Sequence, residues 1–502
     1  MSRFWLMLGI LGYATPALAQ RPGDQPALSL TEVLASSASS HPSLAKGQAR
    51  VEQRLGQQLA ARGAFDPKAK AYASGLPAGY YNYVRWAASI EQTLPSGGMR
   101  VRSGYRQTLG DIPSYRGEYA TLDRGELFAD VSVPLLANRS IDEERARLQQ
   151  ETAGVAEDRY RLAATGLKIA RDTTVAYWKW VAAGQKLRVI RDLTAIAIVR
   201  AGRIRTQAER GSRPGIDVID ADRVAWSRQS DTLAVERDFA LAQAGLSLYF
   251  RDSQRQPVTV PLERVPLERT LVPVDTGRLD AWVAEALRNR PELRALELAD
   301  QRARIDLRLA RNQKLPTLDA RMFVARDMGA GDSSLGDTDF GVGLTFSWSL
   351  RQRRARGQAA AARAKRAAIE AERRGLRDRI IAELRARVRE VELARERAEL
   401  AQQRLQAVEV LARGERTRVQ QGASDLLRLD LREIDVARAA REAIDATLEH
   451  NRAVAALLFT RGLGLAQDVQ ERAYAGSAIS VSNATVEKHT GNATLGDNSN
   501  PC

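Results

Sequence analysis

Side chains that commonly carry out chemistry are sparse in these 502 residues, and they are scattered. There are three histidines: His41 at a helix start, His450 in a long helical stretch and His489 near the C-terminus. No two have the spacing at which imidazoles share a metal ion, and none sits beside a serine or cysteine nucleophile. Gly331-Asp332-Ser333 has the look of a hydrolase serine, but it falls between two strands without a partner base. Val274-Asp275-Thr276-Gly277 has the form of an aspartic-protease signature. That chemistry needs two carboxylates sharing one proton, and the second signature is missing. The single cysteine is Cys502, in the last position, so no intrachain disulfide is expected. No catalytic, cofactor or metal site is expected, and the informative residues are the ones that build elements.

The N-terminus predicts a secretory signal over residues 1–19. Arg3 supplies a positive start, residues 4–13 are apolar, and Ala17-Leu18-Ala19 is a small-x-small cleavage site, so the mature chain would begin at Gln20. No cysteine follows the cleavage site, which argues against a lipid anchor. Beyond residue 20 no run approaches the roughly 18 to 20 apolar residues of a membrane-spanning helix. An exported chain of this kind is periplasmic, secreted, or in the membrane as a barrel. The net charge of +15 invites a nucleic-acid reading. Export argues against that, and the aromatic residues do not interleave with the basic clusters as a stacking platform requires. Most arginines and lysines read as the solvated face of long helices, including Arg351-Gln352-Arg353-Arg354-Ala355-Arg356. Residues 465–502, rich in Ser, Thr, Asn and Gly, read as a disordered tail.

The chain repeats itself. His41-Pro42-Ser43-Leu44 is echoed by Arg290-Pro291-Glu292-Leu293, and Asp66-Pro67 by Leu315-Pro316. The offsets agree, since 291 − 42 and 316 − 67 are each 249. Val133-Pro134-Leu135 matches Trp348-Ser349-Leu350 before a long helix, and Asp217-Val218-Ile219 matches Asp425-Leu426-Leu427 after a glycine-containing break. The period is far longer than that of solenoid repeats, so this is a duplicated domain. Residues 20–255 form the first repeat and 278–464 the second. Between them, 256–277 carries Pro257, Pro261, Pro266 and Pro273 and reads as an extended linker.

Each repeat opens with helices. Ser29 and Glu32 make a capping box, Pro42 and Pro291 mark helix starts, and Gly63 and Asn312 mark stops. Then the apolar period changes to two. Phe340, Val342, Leu344, Phe346, Trp348 and Leu350 alternate with small or polar residues, and Leu318, Ala320, Met322 and Val324 do so less sharply. Leu127, Ala129, Val131, Val133 and Leu135 form the matching strand of the first repeat. This length and alternation suit barrel strands of roughly 9 to 11 residues, apolar toward lipid and polar toward the lumen. Tyr80, Tyr81, Tyr83, Trp86, Tyr105 and Trp348 fall where an interfacial aromatic girdle would.

Long helices follow the strands. Ile380, Leu384, Val388, Val391, Ala394, Ala398, Ala401 and Leu405 recur in steps of three and four, a coiled-coil seam. The proline-free run 355–419 predicts a helix of roughly 100 Å at 1.5 Å per residue. Residues 140–209 repeat it, and each returns through a second long helix, 216–248 or 425–458. The fold class expected is α+β: a duplicated chain with membrane strands and long antiparallel coiled-coil helices.

The order of these segments, occurring twice across residues 28–462, resembles the TolC-like family of outer-membrane efflux and secretion channels. That family shares the proline helix start, the proline strand entry, the [WP]-x-L step before a long helix, and a G-x-x-x-x-D-[VL]-[LI] helix turn. The resemblance implies a homotrimer whose strands share one outer-membrane barrel and whose helices form one periplasmic tunnel. Such a conduit works with a periplasmic adaptor and an inner-membrane pump in tripartite efflux or type I secretion. The rival reading is a non-conducting structural coiled coil. One departure is plain. Pro67 to Pro134 spans 67 positions and Pro316 to Ser349 spans 33, so the first repeat has about 34 extra residues. Val84, Trp86, Ala88 and Ile90, a turn, and residues 99–105 could form an added hairpin, or the excess could be a longer loop. The family's usual four strands per chain are open to that extent.

The resemblance also implies site residues. Gly211, Gly215, Gly422, Ala423 and Ser424 would form the tip that meets the adaptor. Asp217 and Asp425, by their position in the motif, would lie at the periplasmic gate with Asp220, and Arg428, one turn after Asp425, departs from the family pattern. There Arg428 would pair with Asp217 or Asp220 across helices, and a ring of negative charge would favour cations. Asp217 and Asp425 are equally readable as early-helix residues favoured by the helix dipole. Phe340, Val342, Leu344, Phe346 and Trp348 would face lipid.

Overall fold

Ser29 begins the first helix: its Oγ accepts the amide of Glu32 at 3.1 Å, satisfying a first-turn donor that has no partner inside the helix. The return arm of the expected capping box is replaced, because the Glu32 carboxylate pairs with Arg264 at 3.1 Å. The structure, a computed structural model, describes residues 26–269, 271–274 and 276–462. The expected signal peptide and tail, with Asp275, His489 and Cys502, lie outside the described residues.

In chain order the elements are α1 (Leu30–Ser40), α2 (Pro42–Arg62), β1 (Lys68–Leu76), β2 (Tyr83–Thr93), β3 (Arg100–Gly110), β4 (Glu126–Pro134), α3 (Glu143–Glu209), α4 (Gly215–Ser247), α5 (Leu279–Asn289), α6 (Pro291–Asn312), β5 (Thr317–Asp327), β6 (Thr338–Ser347), α7 (Arg353–Gln420) and α8 (Leu426–Arg461). Two helices, a set of strands and a long helix hairpin thus occur twice. Pro42 and Pro291 both sit in a first helical turn, where the lost N–H has no intrahelical acceptor to miss.

The six strands form one antiparallel sheet in the order β1-β2-β3-β4-β5-β6. The excess in the first half is therefore an added hairpin, β2–β3, closed where the Leu94 amide donates to the Met99 carbonyl at 2.7 Å. Leu135, Trp348 and Leu350, expected at strand ends, lie just beyond β4 and β6.

Helices α3 and α7 have 67 and 68 residues, but their return helices α4 and α8 only 33 and 36. Near the strands the missing partners are α2 and α6. Arg54 of α2 holds Glu151 and Asp158 of α3 at 3.1 and 3.0 Å, and Arg302 of α6 reaches the buried Glu157 of α3 at 3.0 Å. Arg366 of α7 holds Asp300 of α6 at 2.8 Å. Helix and sheet meet at the buried Asn312, whose Oδ1 accepts the Asn138 amide at 2.8 Å while its Nδ2 donates to Ser140 Oγ at 3.1 Å.

Two equivalent apolar clusters lie midway along the long helices. In the first half Leu28 and Val33 pack on Tyr177, Trp180, Val181 and Phe239; in the second Trp282 and Ala286 pack on Ile380, Leu384, Val388 and Val454. The expected linker is not loose where it is described, for Val260 and Val265, on either side of a short turn at Leu262–Arg264, are buried in the first cluster. Gly184 of α3 makes that possible, because a Cβ there would lie 2.6 Å from Val265 Cγ2. Gly184→Val should therefore cost about 1–3 kcal/mol by overpacking. Thermal denaturation should show a lowered midpoint, and an unchanged one would mean that the linker is not held here.

Candidate functional site

The register across the sheet sorts its residues by face. Ala73 stands opposite Trp86, Tyr105 opposite Leu127, Val131 between Val101 and Met322, Ala320 opposite Leu344, and Val324 opposite Phe340. Alternation along each strand carries this face from Ala69 on β1 to Phe346 on β6, and its one charge is Arg326 at the end of β5. Phe340, Val342, Leu344 and Phe346 are 73, 71, 72 and 63 % exposed. Trp348 continues the stripe past the strand and is also exposed. No core of this chain covers that face.

The opposite face is a ladder of charge. Lys70 pairs with Glu91 at 2.6 Å, Arg102 with Asp130 at 2.6 Å, and Arg106 with Glu126 at 2.5 Å. Arg321 reaches Asp130 from the other side at 3.4 Å. Arg102–Asp130 and Arg106–Glu126 lie directly across the ladder and the other two pairs on its diagonals; such pairs satisfy one another, so the charged face is stable in water and intolerable in hydrocarbon. Tyr83, expected with the aromatic girdle, sits on this charged face and is buried, because Tyr83 alternates with Trp86 by an odd step. Trp86 and Tyr105 do lie on the apolar face, with ring centroids 5.2 Å apart.

At the far end of the helices the two hairpins reverse in the same way. Gly211 N–H donates to Ala208 O and Ser212 N–H to Gln207 O, at 2.9 and 3.0 Å; Gly422 donates to Val419 and Ala423 to Arg418, at 3.1 and 2.9 Å. This pair of bonds ends a helix through a left-handed residue, and Gly211 and Gly422 have φ of +76° and +73°. Aligned on these glycines, whose offset is 422 − 211 = 211, Asp425 corresponds to Pro214 and Arg428 to Asp217. The motif match of Asp217 with Asp425 is thus shifted by one helical turn. Gly215 is the first residue of α4, and Ser424 Oγ bonds to Glu415.

The expected gate residues make local contacts. Asp425 caps α8, with Oδ1 accepting the Arg428 amide at 2.8 Å, and the Arg428 side chain stays 3.7 Å from Asp425. Asp217 pairs with Arg213 at 3.2 Å and Asp220 with Arg223 at 2.8 Å. Within the described residues of one chain, Arg428 does not reach Asp217 or Asp220. The hairpins are joined by other groups. Glu433 of α8, with a side chain only 6 % exposed, accepts two 2.7 Å bonds from Arg200 of α3 and lies 3.5 Å from Arg416 of α7. Arg228 of α4 lies 3.6 Å from Asp430, and Lys186 pairs with Asp445. The signal for Glu433 was legible: Leu429, Glu433, Val436, Ala440 and Ala443 step by four and three, with one carboxylate in the apolar seam.

The histidines have structural roles. His41 Nδ1 accepts the Ser43 amide at 3.1 Å, its ring stacks on Tyr249 at 5.5 Å, and burial with the nearby Arg251 lowers its pKa. His450 Nε2 lies 2.9 Å from the Val272 carbonyl. Asp332 accepts the Ser334 amide at 2.9 Å in a turn between β5 and β6. Among the described residues no cluster of His, Cys, Asp or Glu is placed to hold a metal, and no helix is long and apolar enough to cross a membrane.

The model of the outer membrane efflux protein family matches residues 282–462. No curated protein matches the chain in sequence. Solved structures match its fold. The CmeC outer membrane channel of Campylobacter jejuni is 13 % identical at a TM-score of 0.62, over 94 % of this chain and 98 % of that one. The outer membrane protein VceC of Vibrio cholerae is 16 % identical at 0.59, over 87 and 97 %. The MtrE outer membrane channel of Neisseria gonorrhoeae, in its open state, is 16 % identical at 0.59, over 88 and 90 %. Residues 282–462 thus match the outer membrane efflux protein family, and the chain as a whole shares the fold of these channels, two copies of one strand-and-hairpin plan.

Proposed function

We propose that three copies of this chain form a channel through the outer membrane that continues into the periplasm, the passive exit of a tripartite efflux or type I secretion machine. The observation that carries this reading is the sorting of the sheet into one apolar and one charged face, set on helices of roughly 100 Å. A structural coiled coil that conducts nothing has no use for that sheet. Strands β1 and β6 each leave an open edge, which hydrocarbon does not allow. Pairing β6 of one copy with β1 of the next removes every edge, and three copies of six strands give eighteen.

The helices support the same assembly. Ile219, Trp226, Leu233, Leu241 and Leu248 form an exposed stripe on α4 at steps of seven or eight, and Leu393, Leu400 and Leu411 are exposed on α7. Such stripes are the seams of coiled coils, and a neighbouring copy would cover them. The reversals carrying Gly211, Gly215, Gly422, Ala423 and Ser424 would then be the tip, docking on a periplasmic adaptor with an inner-membrane pump beyond. The gate would lie just above it. Asp220, Asp425 and Arg428 are exposed there and Asp217 partly so, within reach of a second copy, while Glu433 locks the two hairpins of one chain.

Two experiments test this. Leu344→Arg or Phe346→Arg should cost about 2–4 kcal/mol near the bilayer midplane and block assembly, whereas Thr345→Arg on the charged face should assemble. Equal tolerance would mean that β6 does not meet lipid. Removing Glu433 leaves the mostly buried Arg200 without its carboxylate, a loss of up to about 3–5 kcal/mol of local stability. In planar bilayers Glu433→Ala should raise conductance, as should Arg428→Ala if Arg428 pairs between copies. Wild-type conductance from Glu433→Ala would place the closing contacts elsewhere.

A further inference from the structure

The charged face of the sheet is open along β1 and β6, yet Tyr83 and Thr108, which belong to it, are 6 and 7 % exposed. The connection between β3 and β4, residues 111–125, covers them. Thr121 Oγ1 accepts the Thr108 amide at 3.1 Å, and the Leu122 amide donates to Asp327 Oδ1 at 3.0 Å. Further in, Arg116 Nη1 donates to Tyr83 OH at 3.0 Å, and the Arg85 guanidinium lies 4.0 Å from the centre of the Tyr119 ring. Tyr83 and Arg85 belong to β2, one strand beyond β3. A segment leaving β3 toward β4 reaches them only by crossing β3 on the face that Tyr83 and Arg85 share, which is the charged face. In a closed barrel that face is the lumen.

The charge brought together there differs from most of the ladder, Lys68 and Arg100 aside. Lys70, Arg102, Arg106 and Arg321 each hold a carboxylate. Arg85 and Arg116 hold none among the described residues, and Arg85 Nε is buried without a hydrogen-bond partner. Aromatic faces support both guanidiniums: Arg85 lies over Tyr119 and, at 5.6 Å, over Tyr72, and Arg116 lies 5.6 Å over Tyr119. Stacking uses the face of a guanidinium and leaves its N–H edge, the geometry that binds an oxyanion through paired hydrogen bonds.

We propose that the outer end of the conduit holds an oxyanion-binding constriction, made by Arg85 and Arg116 on Tyr72, Tyr83 and Tyr119 and repeated by each copy around the lumen. It rests on the channel reading above. It gives the added hairpin and the long β3–β4 connection a role in favouring solutes that carry a carboxylate, sulfonate or phosphate as they leave. The ligand class follows from two adjacent cations that hold no carboxylate among the described residues, set in a narrowed, water-filled mouth.

The test uses the full-length protein in planar bilayers under a potassium chloride gradient. Arg85→Ala with Arg116→Ala should lower the chloride-to-potassium permeability ratio several-fold, and Arg85→Lys should retain part of it. Toluenesulfonate added on the outer side should reduce wild-type conductance and leave that of the double variant unchanged. An unaltered permeability ratio, or equal block of both proteins, would overturn the constriction while leaving the channel standing. A wild-type protein that inserts and conducts nothing would overturn the channel reading and this inference with it. Thr108→Cys with Thr121→Cys, in a Cys502→Ser background, should form a disulfide in the membrane. Two free, reactive thiols there would show that the connection does not lie in the lumen.

Discussion

An unpaired backbone amide or carbonyl costs several kcal/mol in hydrocarbon, and this requirement governs the rest of the molecule. Among the described residues no helix is long and apolar enough to cross a membrane, and a continuous exposed apolar face lies on the sheet. A sheet of six strands satisfies all of its ladder except two edges. Those edges explain why the chain is built for company: the apolar face is bare, the charged face is paired only with itself, and the helical stripes on α4 and α7 lie open. A neighbouring copy would give the open edges and the helical stripes a partner, while the apolar face would meet lipid.

Duplication solves the matching problem below the sheet. A helix of 67 or 68 residues needs a partner along its whole length, and a single return helix of that size would end back at the membrane. Splitting the partner into α2 with α4, and α6 with α8, lets the chain enter the sheet midway. The break between the two partners is where the apolar clusters sit, with α1 and α5 filling the gap. The connection between the halves contributes Val260 and Val265 to the first cluster.

Much of this was written in local chemistry. Pro42, Pro291, Gly211, Gly422 and the period-two run of β6 mark boundaries by sterics and burial, so the helices, the helix reversals and the apolar stripe were legible to within a few residues. The added hairpin was half legible, because Val84, Trp86, Ala88 and Ile90 alternate, but length alone could not separate a strand pair from a loop. What was hidden depends on register or on distance in sequence. Tyr83 looked like part of an aromatic girdle until its parity with Trp86 put it on the charged face. Asp217 and Asp425 looked equivalent by motif, and only the hydrogen bonds at Gly211 and Gly422 show that Arg428 is the counterpart of Asp217. Glu433 finds Arg200 more than two hundred positions away, which no local pattern announces.

One chain leaves this sheet with two open edges, and the proposed assembly of three closes them. Native mass analysis of the membrane-extracted protein in detergent measures that directly. A stable particle of three chains is expected, with no monomer while the sheet remains folded. A folded, stable monomer would contradict it, since β1 and β6 would then keep their open edges and the apolar face would have no closed barrel to belong to.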